Sequence, residues 1–254
     1  MNKKILSLAV AAIVSLGMQA QDVMDVKLKN GKTVTYDMSN VKKVSWREVE
    51  VSKYKFVDLD LPSKTLWATT NIGAEKPEDY GLYFQWGDAQ GYEKNGQSFT
   101  WSTYKWCKAS DTFLTKYNSK SSYGYVDNRT VLELEDDAAF VNWGEEWRMP
   151  SDDQLQELVN VDFTTSEWTT ENGVKGLKIT SLKNGNSIFL PAGGYCEDAI
   201  AHYDAYYGYY WSLSLNTSSQ DYAFCLDFSE NSAPGVYGYA RSRGMFVRPV
   251  QIKK

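Results

Sequence analysis

The stretch from Glu133 to Leu158 reads ELEDDAAFVNWGEEWRMPSDDQLQEL, two short helix signatures joined by a tryptophan-rich turn that ends in Trp147-Arg148-Met149-Pro150. Ser151 and Gln154 stand in the spacing of a capping box. The serine hydroxyl can accept from the third helical N–H while the glutamine reaches back to the serine N–H, so a helix is predicted to start at Pro150 or Ser151. Asp152 and Asp153 then fall in its first turn, at the positive end of the dipole, and Leu155, Leu158 and Val159 form an apolar stripe. So short a helix must pack on something larger. The acids upstream, Glu133, Glu135, Asp136 and Asp137, read as charge at a helix N-terminus, because calcium takes about six to eight oxygens converging from several segments. Arg148 is expected as a buried ion-pair partner of one of them.

Outward from this block the periods are those of strands. Phe56 to Thr69 reads as a strand, a turn at Pro62 and a second strand. Gly176–Ser181 and Ser187–Leu190 flank an Asn184-Gly185 turn, and Leu177, Ile179, Ile188 and Leu190 give that hairpin one apolar face. Tyr209–Leu215, Tyr222–Phe228 and Met245–Ile252 read as three more strands, with Tyr222, Phe224, Leu226 and Phe228 alternating against Ala223, Cys225 and Asp227. From Gln90 to Tyr125 the chain is polar, aromatic and aperiodic, which predicts a long surface excursion. Short antiparallel strands with two short helices mid-chain and long loops define an α+β domain over residues 51–254.

Residues 21–50 read as a separate small β module, a hairpin or meander. Val26 and Leu28 alternate with lysines up to Asn30-Gly31, Val34 and Tyr36 alternate on the return, and Val41 to Trp46 can add a third strand. Residues 1–20 carry Lys3 and Lys4, an apolar run from Ile5 to Leu16 and a small residue at Ala20, the pattern of a signal peptide. A run of about a dozen residues is short of the roughly 20 needed to span a bilayer, so no membrane span is expected after cleavage. Residue 21 is Gln, which offers no thiol for a lipid anchor. The expected location is the periplasm, the outer surface or the medium.

The 254 residues are 43% hydrophobic and 23% charged, the balance of a globular protein, and 15% aromatic, which favours strands and recognition surfaces. A formal charge of −5 without a basic stripe argues against a nucleic-acid partner. Export would permit disulfides, yet three cysteines cannot all pair; Cys107 reads as a packed side chain, and Cys196 with Cys225 could bridge or stay free. Without a CxxC, and with His202 the only histidine, zinc is not expected. No cofactor is expected.

A set of motifs in order carries a resemblance: Val57-Asp58-Leu59 with Leu61-Pro62-Ser63 and Leu66-Trp67-Ala68, Gly81 to Gly87, Trp101 to Cys107, Glu135 to Ala139, Trp147 to Pro150, Gly185 to Tyr195, Tyr210-Trp211-Ser212 and Val247 to Val250. Over about residues 54 to 251 the chain resembles the Fibrobacter succinogenes major paralogous domain, and residues 21–50 resemble a leader module found before exported Bacteroidetes domains. That family in turn resembles the C-type lectin-like fold in the version used by formylglycine-generating enzymes. The resemblance implies a lectin-like domain whose C-terminal region faces the ligand, a scaffold that also serves diversified receptors. It does not imply the oxidase chemistry, since Cys196 and Cys225 do not match those enzymes' cysteine pair.

The forty residues from Ala201 to Ala240 are rich in Tyr, Ser, Asn and Gly, an alphabet that gives rigid contact area with adaptable hydrogen bonds. Tyr209, Tyr210, Trp211 and Tyr222 are expected to be core or strand-face residues. Tyr203, Tyr206, Asn216, Asn231, Tyr237, Tyr239, Ser242 and Arg243 are expected in loops or at strand margins, and form the candidate ligand-binding set. Trp211, Ser212, Arg241, Gly244 and Val247 to Val250 would be the fixed frame. The expected function is an exported, non-catalytic protein binding a glycan or a surface protein of host or neighbouring bacteria. The alternatives are a structural or adhesion component of the cell envelope and, less favoured, an oxidase-like enzyme.

Overall fold

The computed structural model describes residues 23–27, 33–37 and 54–252. The chain divides into two compact units, Met1–Val51 and Ser52–Lys254. In the first, β1 (Val23–Lys27) pairs antiparallel with β2 (Thr33–Asp37), Val26 opposite Val34 and Met24 opposite Tyr36. Lys27 stands opposite Thr33, one residue out of step with the register that a two-residue turn at Asn30-Gly31 would set. The export signal, that turn and the run from Val41 to Trp46 lie outside the described residues.

The second unit is mostly antiparallel sheet with two short α-helices, an α+β arrangement. β3 (Phe56–Asp58) and β13 (Val250–Ile252) flank β4 (Thr65–Ala68), so the beginning and end of the unit close into one sheet around a fully buried strand. The block that opened the sequence analysis is stitched to this closure: Arg148 and Val250 exchange both backbone hydrogen bonds, at 3.0 and 2.9 Å. α1 (Ala138–Trp143) precedes that stitch and α2 (Asp152–Leu158) follows it.

The capping box is formed as the residue types dictate. Gln154 N donates to Ser151 Oγ at 3.1 Å, and Ser151 N donates to Gln154 Oε1 at 2.9 Å. Leu155 and Leu158 are buried in the core. The polar side of α2 holds the β3–β4 turn, since Gln154 Nε2 donates to Thr65 Oγ1 at 2.9 Å and Glu157 accepts from both the backbone N–H and the hydroxyl of Ser63. Ser151→Ala is expected to cost about 1 kcal/mol, a fall in Tm of about 2–4 °C for a domain of this size. Thermal unfolding checks it, and an unchanged Tm would mean the cap is idle.

β5 (Thr164–Glu171), β6 (Val174–Ser181) and β7 (Ser187–Pro191) form a meander, with Leu177 opposite Leu190 and Ile179 opposite Ile188 on the buried face. Gly185 takes φ +73° in the β6–β7 turn, the left-handed conformation glycine tolerates without strain. β8 (Tyr195–Glu197) and β9 (Ile200–His202) make a small ribbon. The last sheet is β10 (Tyr207–Leu215), β11 (Tyr222–Ser229) and β12 (Ser232–Ala240), with β11 in the middle.

This sheet separates two cores. Tyr210, Leu226 and Phe228 join α2 and the β6–β7 hairpin on one side, while Trp211, Ala223 and Cys225 join Trp86, Tyr117, Trp147 and Val247 on the other. Both faces of β11 are therefore covered along much of its length.

Several expectations are corrected here. β5 and β12 were not anticipated as strands, and Met245 to Val247 makes single bridges to Phe84 and Tyr210 rather than part of a continuous strand. The excursion from Gln90 to Tyr125 is not a surface loop throughout: Phe99, Tyr104, Leu114 and Tyr117 are buried. Of the two readings left open for Cys196 and Cys225, the structure has the unbridged one, and all three cysteines are free thiols. Tyr222 is exposed, whereas Tyr209, Tyr210 and Trp211 are buried. Among the described residues no helix is long and apolar enough to cross a membrane.

Candidate functional site

Register builds the site. Directly paired residues on an antiparallel sheet share a face. Asp227 on β11 stands between Tyr209 on β10 and Gly235 on β12; Cys225 stands between Trp211 and Tyr237, and Ala223 opposite Tyr239. At one end this face is sealed by Trp211, Cys225 and Ala223, all buried. It reaches the surface along the β12 edge through Tyr237 and Tyr239, and at the other end through Tyr207 and Asp227.

Tyr239 lies along the sheet so that its hydroxyl donates to Asp227 Oδ2 at 2.5 Å. Its ring meets Tyr209 edge-on at 5.2 Å and 71°, and Tyr207 stacks on Tyr209 at 6.0 Å and 15°. Tyr195 meets Tyr209 edge-on at 5.2 Å, and His202 stacks on Tyr195 at 5.2 Å. Tyr203 meets Tyr207 at 5.3 Å, which carries the aromatic surface onto the β9–β10 connection. The Arg243 guanidinium lies 4.4 Å from the Tyr195 ring and 5.9 Å from that of Tyr239, and pairs with Glu197 at 3.1 Å.

Tyr237 is 54% exposed, and its position depends on its neighbour. A Cβ on Gly235 would sit 2.7 to 2.9 Å from Tyr237 Cε2, Oη and Cζ. The ring therefore lies across the bare backbone at Gly235, directly opposite Asp227. Burial pushes the Asp227 carboxyl above its ordinary value, with the Tyr239 hydroxyl pulling partly back. Burial first, and then Asp227, push Tyr239 up; burial also pushes Tyr209 up, so both are neutral phenols at neutral pH.

Of the eight candidate residues, Tyr203, Tyr237, Tyr239 and Arg243 converge on this surface. Tyr237 and Tyr239 do so from within β12 rather than from a loop. Tyr206 is exposed and lies 5.9 Å from Lys175 Nζ, outside this aromatic network. Asn216 holds the β10–β11 turn by accepting from Ser218 N and Ser219 N, and Asn231 is exposed in the β11–β12 turn. Ser242 is buried, its carbonyl accepting from Gln85 Nε2 at 2.7 Å. Asp227, Glu197, Tyr195, Tyr207 and Tyr209 were outside the candidate set. An acid in the row of small buried residues Ala223, Cys225, Asp227 was the signal that could have found the first of them.

The acidic run upstream of α1 has a different use. Asp137 is the N-cap, its carboxylate accepting from Ala139, Phe140 and Met149 N–H. Carboxylate oxygens of Glu133, Glu135 and Asp136 lie within 4.8 Å of one another. The Lys116 ammonium is already there, at 2.6 Å from Asp136, 2.6 Å from Glu133 and 3.3 Å from Glu135. The buried ion pair expected of Arg148 is thus made by Lys116. Arg148 is half-buried, donates to the carbonyls of Glu145 and Trp147 and lies 4.5 Å over Phe140.

The thiols are poor nucleophiles. Burial pushes Cys196 up to about 11 and Cys225 well above its ordinary value, which suppresses the thiolate at neutral pH. Comparison of the chain with protein-family models, with curated proteins and with solved structures finds no match in any of the three.

Proposed function

We propose that this is an exported, non-catalytic binding protein with a C-type lectin-like domain, as its resemblance to the Fibrobacter succinogenes major paralogous domain implies. It acts in the periplasm, at the outer surface or in the medium, and recognises a glycan or a surface protein of a host or neighbouring bacterium. The observation that carries this reading is the aromatic network running from exposed Tyr203 through Tyr207 and the buried Tyr209 to Tyr239, with exposed Tyr237 and half-buried Asp227 beside it. Tyrosine gives a large rigid contact at small entropic cost, and open ring faces suit the C–H face of a sugar.

Tyr239 and Arg243 are tied into hydrogen bonds and ring contacts, so truncating them would mix binding with stability. Tyr203 and Tyr237 are more than half exposed and separate the two. The double variant Tyr203→Ala, Tyr237→Ala is expected to lose at least about tenfold in affinity on a glycan array or in an envelope pull-down, ~1.4 kcal/mol. Its Tm should fall by no more than about 4 °C, since exposed side chains contribute little and the Tyr203–Tyr207 edge contact adds about 0.5–1.5 kcal/mol. Parent-like capture by the double variant would reject this face as the binding surface.

A further inference from the structure

We infer that Asp227 is the recognition point for a ligand ammonium group, and that the ligand is a sugar bearing a free amine. This rests on the binding face proposed above and narrows what the face would hold.

Asp227 is half-buried at the centre of that face, and among the described residues its polar partner is the Tyr239 hydroxyl on Oδ2. Other acids of the domain are served more fully. Asp136 has Lys116 and Lys105, Asp127 has the N–H groups of Tyr117 and Asn118 together with Arg129, and Asp137 has three N–H donors. Arg243, whose guanidinium lies beside the Tyr239 ring, is engaged by Glu197 through contacts of 3.1 to 3.3 Å and by the Tyr195 ring. Asp227 therefore presents a carboxyl group on a partly dry surface without a cation of its own, an arrangement in which a bound cation favours the carboxylate and is favoured by it.

The surroundings select the cation further. Tyr209 flanks the carboxylate from β10, Tyr239 closes on it at 71° to Tyr209, and Tyr237 lies opposite it across Gly235. Ring faces carry negative potential, so the exposed ring of Tyr237 near the carboxylate adds to its attraction for an ammonium. The flat, exposed ring of Tyr237 then decides between carriers. A pyranose can lay its C–H face on that ring while an amine on the same ring reaches Asp227. A lysine side chain has no flat apolar face to use it.

The test is calorimetric or NMR titration of the full chain with glucosamine, N-acetylglucosamine and Nα-acetyl-lysine amide at neutral pH. Glucosamine is expected to bind at least about tenfold tighter than N-acetylglucosamine, whose amide carries no charge, ~1.4 kcal/mol. Asp227→Asn keeps an acceptor for Tyr239 and should bring the two sugars within about twofold. A sodium chloride series on the parent chain provides a second readout, because the glucosamine preference should shrink as salt screens the ion pair. Equal binding of the two sugars, a preference that survives Asp227→Asn, or a preference indifferent to salt overturns the inference. Lysine amide binding as tightly as glucosamine overturns the sugar assignment. If the Tyr203/Tyr237 double variant loses glycan capture while no amine preference exists, the binding face stands and this inference falls; if that variant loses nothing, both fall.

Discussion

Arg241→Ala is expected to cost about 4 kcal/mol or more and to lower Tm by on the order of 10 °C. Arg241 is fully buried, and its guanidinium makes four hydrogen bonds in one plane: Nε to Tyr104 Oη at 2.8 Å, Nη1 to Tyr117 O and Gln220 O at 3.0 and 2.9 Å, and Nη2 to Lys116 O at 3.0 Å. It also lies 4.8 Å over Trp86. Three of those partners belong to the aperiodic segment between Gln90 and Tyr125. Among its described residues that segment has one short 3-10 turn, Ser121–Tyr123, and isolated bridges in place of a continuous ladder, so one buried arginine supplies donors to the carbonyls of Lys116 and Tyr117. Truncation leaves acceptors buried without partners, each costing about 1–3 kcal/mol, and opens a cavity beside Trp86. Arg241→Lys should recover only part, because an ammonium cannot reproduce a planar fork. Thermal unfolding gives the magnitude, and limited proteolysis gives the place: cleavage should move into residues 90–125. A Tm within about 2 °C of the parent, or unchanged cleavage there, would show that the segment is held by its own packing.

That anchoring explains which parts of the fold were legible in the sequence. Local signals were. Ser151 and Gln154 fix their cap by chemistry within one turn, and Asn184-Gly185 fixes a hairpin whose facing residues alternate on schedule. Non-local signals were not. β12 reads Ser-Ala-Pro-Gly-Val-Tyr-Gly-Tyr-Ala, with a proline and two glycines where a central strand would carry none; it is an edge strand, where a missing N–H is tolerated. β5 is an edge strand too, and its polar sequence reflects solvent on much of its length. In the Gln90–Tyr125 segment, single buried residues rather than a period carry the packing, so no window over the sequence sees them.

The site was legible as composition and illegible as geometry. An excess of tyrosine after Ala201 pointed to the part of the chain that supplies most of the aromatic network. What selects among those tyrosines is register: Tyr237 matters because Gly235 stands opposite Asp227, and Asn231 lies apart because it is in the turn. Ser242 shares the composition yet is buried, which sequence could not reveal because its burial follows from the carbonyl contact with Gln85. The alternation Ala223, Cys225, Asp227 marks the acid in the sequence, but only the two neighbouring strands bring Tyr209 and Gly235 beside it.

Lys116→Met should be comparably damaging and should change how stability depends on pH. Lys116 is nearly buried, with its ammonium against Asp136, Glu133 and Glu135 and 4.7 Å from the Trp106 ring. Methionine keeps most of the stem and removes the charge. Asp136, at 1% exposure, then depends on the half-exposed Lys105 at 3.1 Å and the Tyr117 hydroxyl at 2.6 Å. Breaking one partner of a buried pair costs about 3–5 kcal/mol, because the other charge remains. In the parent chain burial alone would raise the Asp136 carboxyl, but Lys116, Tyr117 and Lys105 outweigh it and hold it below the ordinary value. A depressed carboxylate contributes stability that is complete above the unfolded value and is lost as pH falls through the folded one. Without Lys116 the burial effect is expected to prevail and lift Asp136 above its unfolded value, so the folded variant takes up a proton first. Its stability then rises as pH drops from 7 toward about 4.5, while the contribution of Asp136 in the parent is flat or falling. The gap between the two should narrow over that range, and Asp136→Asn in the Lys116→Met background should recover part of the loss at neutral pH. Denaturant titrations at several pH values decide it. A gap that is constant with pH, or smaller than about 1 kcal/mol at pH 7, would place Lys116 among the exposed ion pairs that add little.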